Sequence, residues 1–202
     1  MKNHFQIFCK IFVPIIIVFQ SCDTNDPKKE DVPELITKTT LTFTPVGGGN
    51  TVTVSASDPD GEGVQDLAAE GSIALAAGKT YELSITMINE LAAVGEDGYD
   101  ITEEVEEEGA EHLFLFSWSN NIFSSPTGNG NIDNRSDEVN YTDTDSKNLP
   151  IGLNTSWTTP QTGGVSGSFR VVLKHQPGIK TQTSGINIGE TDMDITFTAN
   201  IQ

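Results

Sequence analysis

The sequence predicts an all-β chain, a single antiparallel β-sandwich of immunoglobulin-like kind with one short acidic helix. Three observations carry this. Apolar residues alternate with Thr, Ser and other polar residues over many short segments, the pattern of strands with one buried and one wet face. Nineteen glycines and nine prolines punctuate those segments with turns. No long segment has helical periodicity, which argues against an α/β fold.

The strands follow in order. Leu41-Thr42-Phe43-Thr44-Pro45 and Val52-Thr53-Val54-Ser55-Ala56 flank Gly47-Gly48-Gly49-Asn50, a hairpin with positive-φ residues at its turn. Further strands are predicted at 72–76, 80–89, 112–118, 139–143, 154–158, 167–175 and 192–201. Leu83, Ile85 and Met87 share one face; so do Phe114, Phe116 and Trp118, and so do Met193, Ile195, Phe197 and Ala199. The one helix is expected after Asp100, whose side chain can cap it, with Glu103 three residues on and a stop at Gly109. Its many like charges repel one another and limit it to one or two turns, in a crossover between the sheets.

Charge excludes several function classes. The chain has 11 Lys+Arg against 29 Asp+Glu, a formal net charge of −18. A nucleic-acid binder must neutralise phosphates, and a peripheral membrane protein must meet anionic headgroups; this chain repels both.

The N-terminus reads as an address. Lys2 and Lys10 precede the apolar run Ile11–Phe19, which is too short to span a bilayer core of about 30 Å but suits a signal peptide. Gln20-Ser21-Cys22 then resembles a bacterial lipobox, in the relaxed form of the Bacteroidota because Phe19 and Gln20 depart from the strict pattern. That resemblance implies cleavage before Cys22 and lipidation of its thiol. Cleavage removes Cys9, so no internal disulfide is possible in the mature chain. It also removes two lysines and no acid, which takes the formal charge from −18 to −20. The expected organisation is a lipoprotein signal peptide at 1–21, a lipidated cysteine with an acidic tether at 22–36, and the sandwich at 37–202.

Candidate chemistry is sparse. In Asp58-Pro59-Asp60-Gly61-Glu62-Gly63, the residues Asp58, Asp60 and Glu62 alternate as calcium ligands do, and Asp66 falls at a ninth position. Ala69 stands where a bidentate Glu closes an EF-hand, so the loop is either a weak calcium site or a turn built from Asp, Pro and Gly. Asn129, Asn131 and Asp133 form a weaker set of the same kind. The acids from Glu103 to Glu111 run into His112, and His175 is the other imidazole outside the leader. Zn²⁺ needs several nitrogen or sulfur ligands brought together, and nothing in the sequence shows that these two meet, so a solvated acidic surface next to a strand is the expectation. Trp157, between Ser156 and Thr158, reads as an exposed ring for stacking on sugars, with Trp118 in the core. There is no GxSxG elbow and no thiol left to pair with a histidine, so the chain is expected to be non-catalytic.

The lipobox, the acidic tether, the first hairpin, the Asp-Pro-Asp-Gly loop and Ile101–Glu108 running into His112 together resemble a group of small Flavobacteria-type lipoproteins, over most of residues 11–120. That group often carries the automated label of a type 1 periplasmic-binding fold. Such a fold needs two α/β lobes in a longer chain, whereas the period-two pattern predicts the sandwich. The resemblance implies an outer-membrane, lipid-anchored protein, with no assigned activity. The expected function is a non-catalytic binding or interaction module of the cell envelope, partnering an envelope receptor or surface ligand. The alternative is a carboxylate-rich lipoprotein that handles calcium or a transition metal.

Overall fold

Alternation becomes architecture first in the opening hairpin. The computed structural model describes residues 34–58, 61 and 67–202, all within the compact unit Asp31–Gln202. Strand β1 (Lys38–Pro45) turns Thr39, Leu41 and Phe43 inward, and β2 (Val52–Ser57) answers with Val54 and Ala56. The two pair antiparallel from Phe43↔Val52 to Lys38↔Ser57. Their turn has positive φ at Gly47 (85°), Gly48 (97°) and Gly49 (135°), which only glycine adopts at low cost.

Five strands make one sheet, in the order β3 (Ala68–Ala69), β2, β1, β5 (Thr80–Ile88), β7 (Asn154–Thr158). Four make the other: β4 (Ser72–Leu75), β9 (Glu190–Ile201), β8 (Val165–His175), β6 (His112–Trp118). The fold is therefore all-β and sandwich-like. Rings from the two sheets meet in the core. Trp157 of β7 lies edge-on to Phe169 of β8 at 5.0 Å and to Trp118 of β6 at 5.2 Å, and Phe43 of β1 reaches Phe169 at 6.1 Å. Such edge-to-face packing suits aromatic quadrupoles and fills space between sheets.

One ladder corrects the expectation of a wholly antiparallel fold. β4 pairs parallel with β9, Ile73 beside Ala199 and Leu75 beside Ile201. β6 also departs from strict alternation, since Leu113 and Leu115 are as fully buried as Phe114 and Phe116.

Helix α1 (Ile101–Glu107) follows β5 and precedes β6 in the chain, and so lies in the connection from one sheet to the other. Asp100 caps it: its Oδ1 accepts from the Thr102 and Glu103 backbone N–H groups at 3.1 and 3.2 Å. Ile101 and Val105 are its buried side, and Thr102 Oγ1 fastens it to β5 through the Met87 N–H at 2.8 Å. Among the described residues, no helix is long and apolar enough to cross a membrane.

The strand expected at 139–143 is an irregular stretch with a single bridge, Tyr141↔Thr155. It belongs to a long loop that covers two sheet edges. Asn131 N–H donates to Phe116 O at 2.8 Å on the edge of β6, and Ser156 N–H donates to Asn140 O at 2.8 Å on the edge of β7. Edges covered in this way cannot recruit a foreign strand.

Candidate metal centre

The inward positions of β6 are His112, Phe114, Phe116 and Trp118; those of β8 are Phe169, Val171, Leu173 and His175. Where β6 begins and β8 ends, the aromatic core gives way to two imidazoles. His112 pairs directly with His175 in the ladder. Their rings stack with 4° between planes and 4.7 Å between centroids, and they are 0% and 6% exposed. Cross-strand partners on one face always stand side by side, so the register alone makes this pair.

A carboxylate completes the cluster. Glu108 follows the last turn of α1, and one ligand atom each from Glu108, His112 and His175 lies within 4.8 Å of the others. The helix end is brought here by close packing. A Cβ on Gly109 would stand 2.5 Å from Ile151 Cδ1, so a larger residue there would force the Ile151 side chain to shift. Zn²⁺ bonds of roughly 2.1 Å to nitrogen and oxygen hold tetrahedral ligands about 3.4 Å apart. Rotation of Glu108 and the two rings would supply that contraction. Two nitrogens and one oxygen suit a divalent transition metal, whereas Ca²⁺ takes oxygen ligands alone.

Two further acids face the outer nitrogens. Asp192 Oδ2 lies 3.9 Å from His112 Nε2, with both side chains fully buried, and Glu111 Oε2 lies 3.8 Å from His175 Nε2. Burial pushes the Asp192 carboxyl up to about 6, against the opposing pull of His175, a backbone N–H of Glu34 and Lys174. An acid-lined cleft of about 320 Å³ opens beside the same end of α1, bordered by Glu106, Glu107, Asp143 and Asp145. Such a lining draws cations toward this end of the molecule.

The sequence-predicted candidates fare differently. Cys22, Asp60, Glu62 and Asp66 lie outside the described residues. Asp58 is 2% exposed and its Oδ1 accepts from the Gly61 N–H at 3.1 Å, so that oxygen serves the turn between β2 and β3. Its backbone N–H meets Thr37 O, and Thr39 contacts Met193, so Asp58 and the histidine pair share one end of the sandwich.

Two expectations are corrected. Asn131 is fully buried and spent on structure: its Oδ1 accepts from Phe116 N–H at 3.0 Å and its Nδ2 donates to Tyr141 Oη at 2.8 Å. It cannot serve a cation. Trp157 is 0% exposed, so it cannot stack on a sugar. The acids of 103–111 are exposed or half-buried beside β6 as expected, but the two histidines that nothing in the sequence joined are buried and meet. Both histidines were visible in the sequence, but the register that joins them was not.

The chain matches no protein-family model, no curated protein and no solved structure.

Proposed function

We propose that this protein is a non-catalytic, lipid-anchored module of the cell envelope that binds a divalent transition-metal ion through Glu108, His112 and His175. The single observation behind this is the meeting of two buried imidazoles and a carboxylate at one end of the fold. It favours a transition metal over the calcium of the Asp58 loop, since imidazole nitrogen suits zinc, copper and nickel and not calcium. The two-sheet domain is read as an immunoglobulin-like scaffold, which presents sites at its ends. The lipobox-like Gln20-Ser21-Cys22 supports attachment through Cys22 to the outer membrane, and mass spectrometry of the mature N-terminus tests it. A diacylated Cys22 is expected; an unmodified one overturns the anchor.

Calorimetry with zinc tests the site. The purified protein is expected to bind one equivalent, and a His112→Ala, His175→Ala double variant none. Equal binding by both proteins would overturn the assignment.

A further inference from the structure

Resting on that metal-binding reading, we propose that Asp192 is itself a ligand of the metal, bound to it beside Nε2 of His112.

The surroundings of the His112 ring assign its nitrogens. Nδ1 lies 3.2 Å from the backbone carbonyl oxygen of Glu108. A carbonyl only accepts, so Nδ1 carries the proton and Nε2 the lone pair. A backbone carbonyl on one ring nitrogen is a usual support for a histidine that ligates through the other. The metal therefore meets His112 at Nε2, and the group facing Nε2 is Asp192. Its Oδ2 stands 3.9 Å away, with both side chains 0% exposed. A carboxylate oxygen and an imidazole lone pair both accept, so neither satisfies the other; a proton or a metal ion between them satisfies both. Tetrahedral zinc holds its ligand atoms about 3.4 Å apart, so binding draws this pair closer by roughly half an ångström.

The backbone explains how an acid comes to be here. Sheet order places β8 between β9 and β6, so Asp192 and His112 meet across the strand that carries His175. β8 and β9 pair regularly to Leu173↔Met193, and the register then shifts so that Lys174 faces Thr191. Asp192 is the extra residue of that bulge. Strict alternation would point it away from the face that Met193 occupies; the bulge turns its side chain into the end of the core. Bulges of this kind re-aim a side chain and recur beside functional sites.

Charge gives a second argument. Two neutral imidazoles and Glu108 alone would leave a divalent ion with one uncompensated positive charge, beside histidines that are 0% and 6% exposed. Buried charge is costly unless it is paired. The Asp192 carboxylate brings the sum to zero, and two nitrogens with two oxygens fill the four positions of tetrahedral zinc. Glu111 faces His175 at a similar distance, but its side chain is 41% exposed and water competes for it.

Asp192 has other neighbours: His175, a backbone N–H of Glu34, Lys174 and Glu190. The ammonium of Lys174 donates to Thr191 Oγ1 at 2.7 Å. A role confined to these contacts would be structural and would leave the metal's own ligand set unchanged, which is what the experiment separates.

Zinc and cobalt titrations of the full-length protein and of Asp192→Asn provide the test. The variant is expected to lose more zinc affinity than the roughly 10- to 100-fold usual for an outer partner of a ligand. It is also expected to alter or lose the visible bands of bound cobalt, which report the number and kind of ligands. Nitrogen-15 NMR of the zinc-loaded wild type is expected to show His112 metallated at Nε2 and protonated at Nδ1. This measurement stands even if the variant fails to fold. Metallation at Nδ1, or an unchanged cobalt spectrum in the variant whatever its zinc affinity, overturns Asp192 as a ligand and leaves the metal site in place. A wild type that binds neither metal overturns the metal reading itself.

Discussion

The ammonium of Lys180 stands 3.0 Å from Asp145 Oδ2, with 1% and 0% of the two side chains exposed. Lys180 comes from the loop between β8 and β9, and Asp145 from the loop between β6 and β7. The same ammonium donates to the carbonyl oxygen of Gly109 at 2.6 Å. One buried cation thus ties two long loops to the end of α1, beside the residue that offers a carboxylate to the histidine pair.

Removing half of that pair should be severe. Lys180→Met leaves Asp145 buried beside an apolar chain, and loss of one partner of a buried pair costs about 3–5 kcal/mol. Urea denaturation should show this as a lower midpoint, with partial recovery in a Lys180→Met, Asp145→Asn double variant. A single variant within about 1 kcal/mol of wild type would mean that the pair contributes little.

Two of the buried acids, Asp145 and Asp192, should respond to pH in opposite directions. Burial works to raise Asp145, but the Leu149 N–H, Lys180 and the Lys147 N–H together outweigh it and hold the carboxyl below its ordinary value. Its stabilisation is present above the unfolded value of about 3.9 and is lost as pH falls through the lower folded value. Asp192, raised to about 6 by burial, contributes most below pH ~4 and loses that contribution as pH rises through the folded value. In the presence of chelator, Asp192→Asn should therefore gain on wild type between pH 4 and 7, by on the order of 2–3 kcal/mol. A difference that stays flat across this window would contradict the buried setting of the acid.

Trp157 should be a main support of the core. It is fully buried and packs against Phe116, Trp118, Phe123 and Phe169 at 4.7–5.4 Å between ring centroids. Trp157→Ala should cost about 3–5 kcal/mol through lost burial and a residual cavity, and Trp157→Phe clearly less. Thermal melts of the two variants provide the check; equal losses would show that the site collapses around either change.

Capping of α1 gives a milder test. Asp100→Ala removes the acceptor of two backbone N–H groups and should cost about 1 kcal/mol. Because Thr102, Ile101 and Val105 still dock the helix, zinc affinity at Glu108 should fall by less than the loss produced by changing His112. A variant that loses zinc altogether would mean that the cap, and not the docking, places Glu108.

Local sequence determined much of the framework. Period-two runs set which residues of β1, β5, β8 and β9 face inward, because side-chain direction along a strand is a property of the backbone. Three consecutive glycines fixed the first turn, and Asp100 fixed the start of α1, since both act through neighbouring backbone groups. What pairs with what was decided only by the tertiary structure. Ser-Trp-Thr shows that Trp157 points to one face, but whether that face is core or solvent depends on a second sheet that a local pattern does not describe. The parallel pairing of β4 with β9, the bulge that turns Asp192 inward and the register that stacks His112 on His175 are all long-range. Each depends on how distant strands slide against one another, and that is settled by the whole core packing at once, the reason the histidine site could not be read from spacing along the chain.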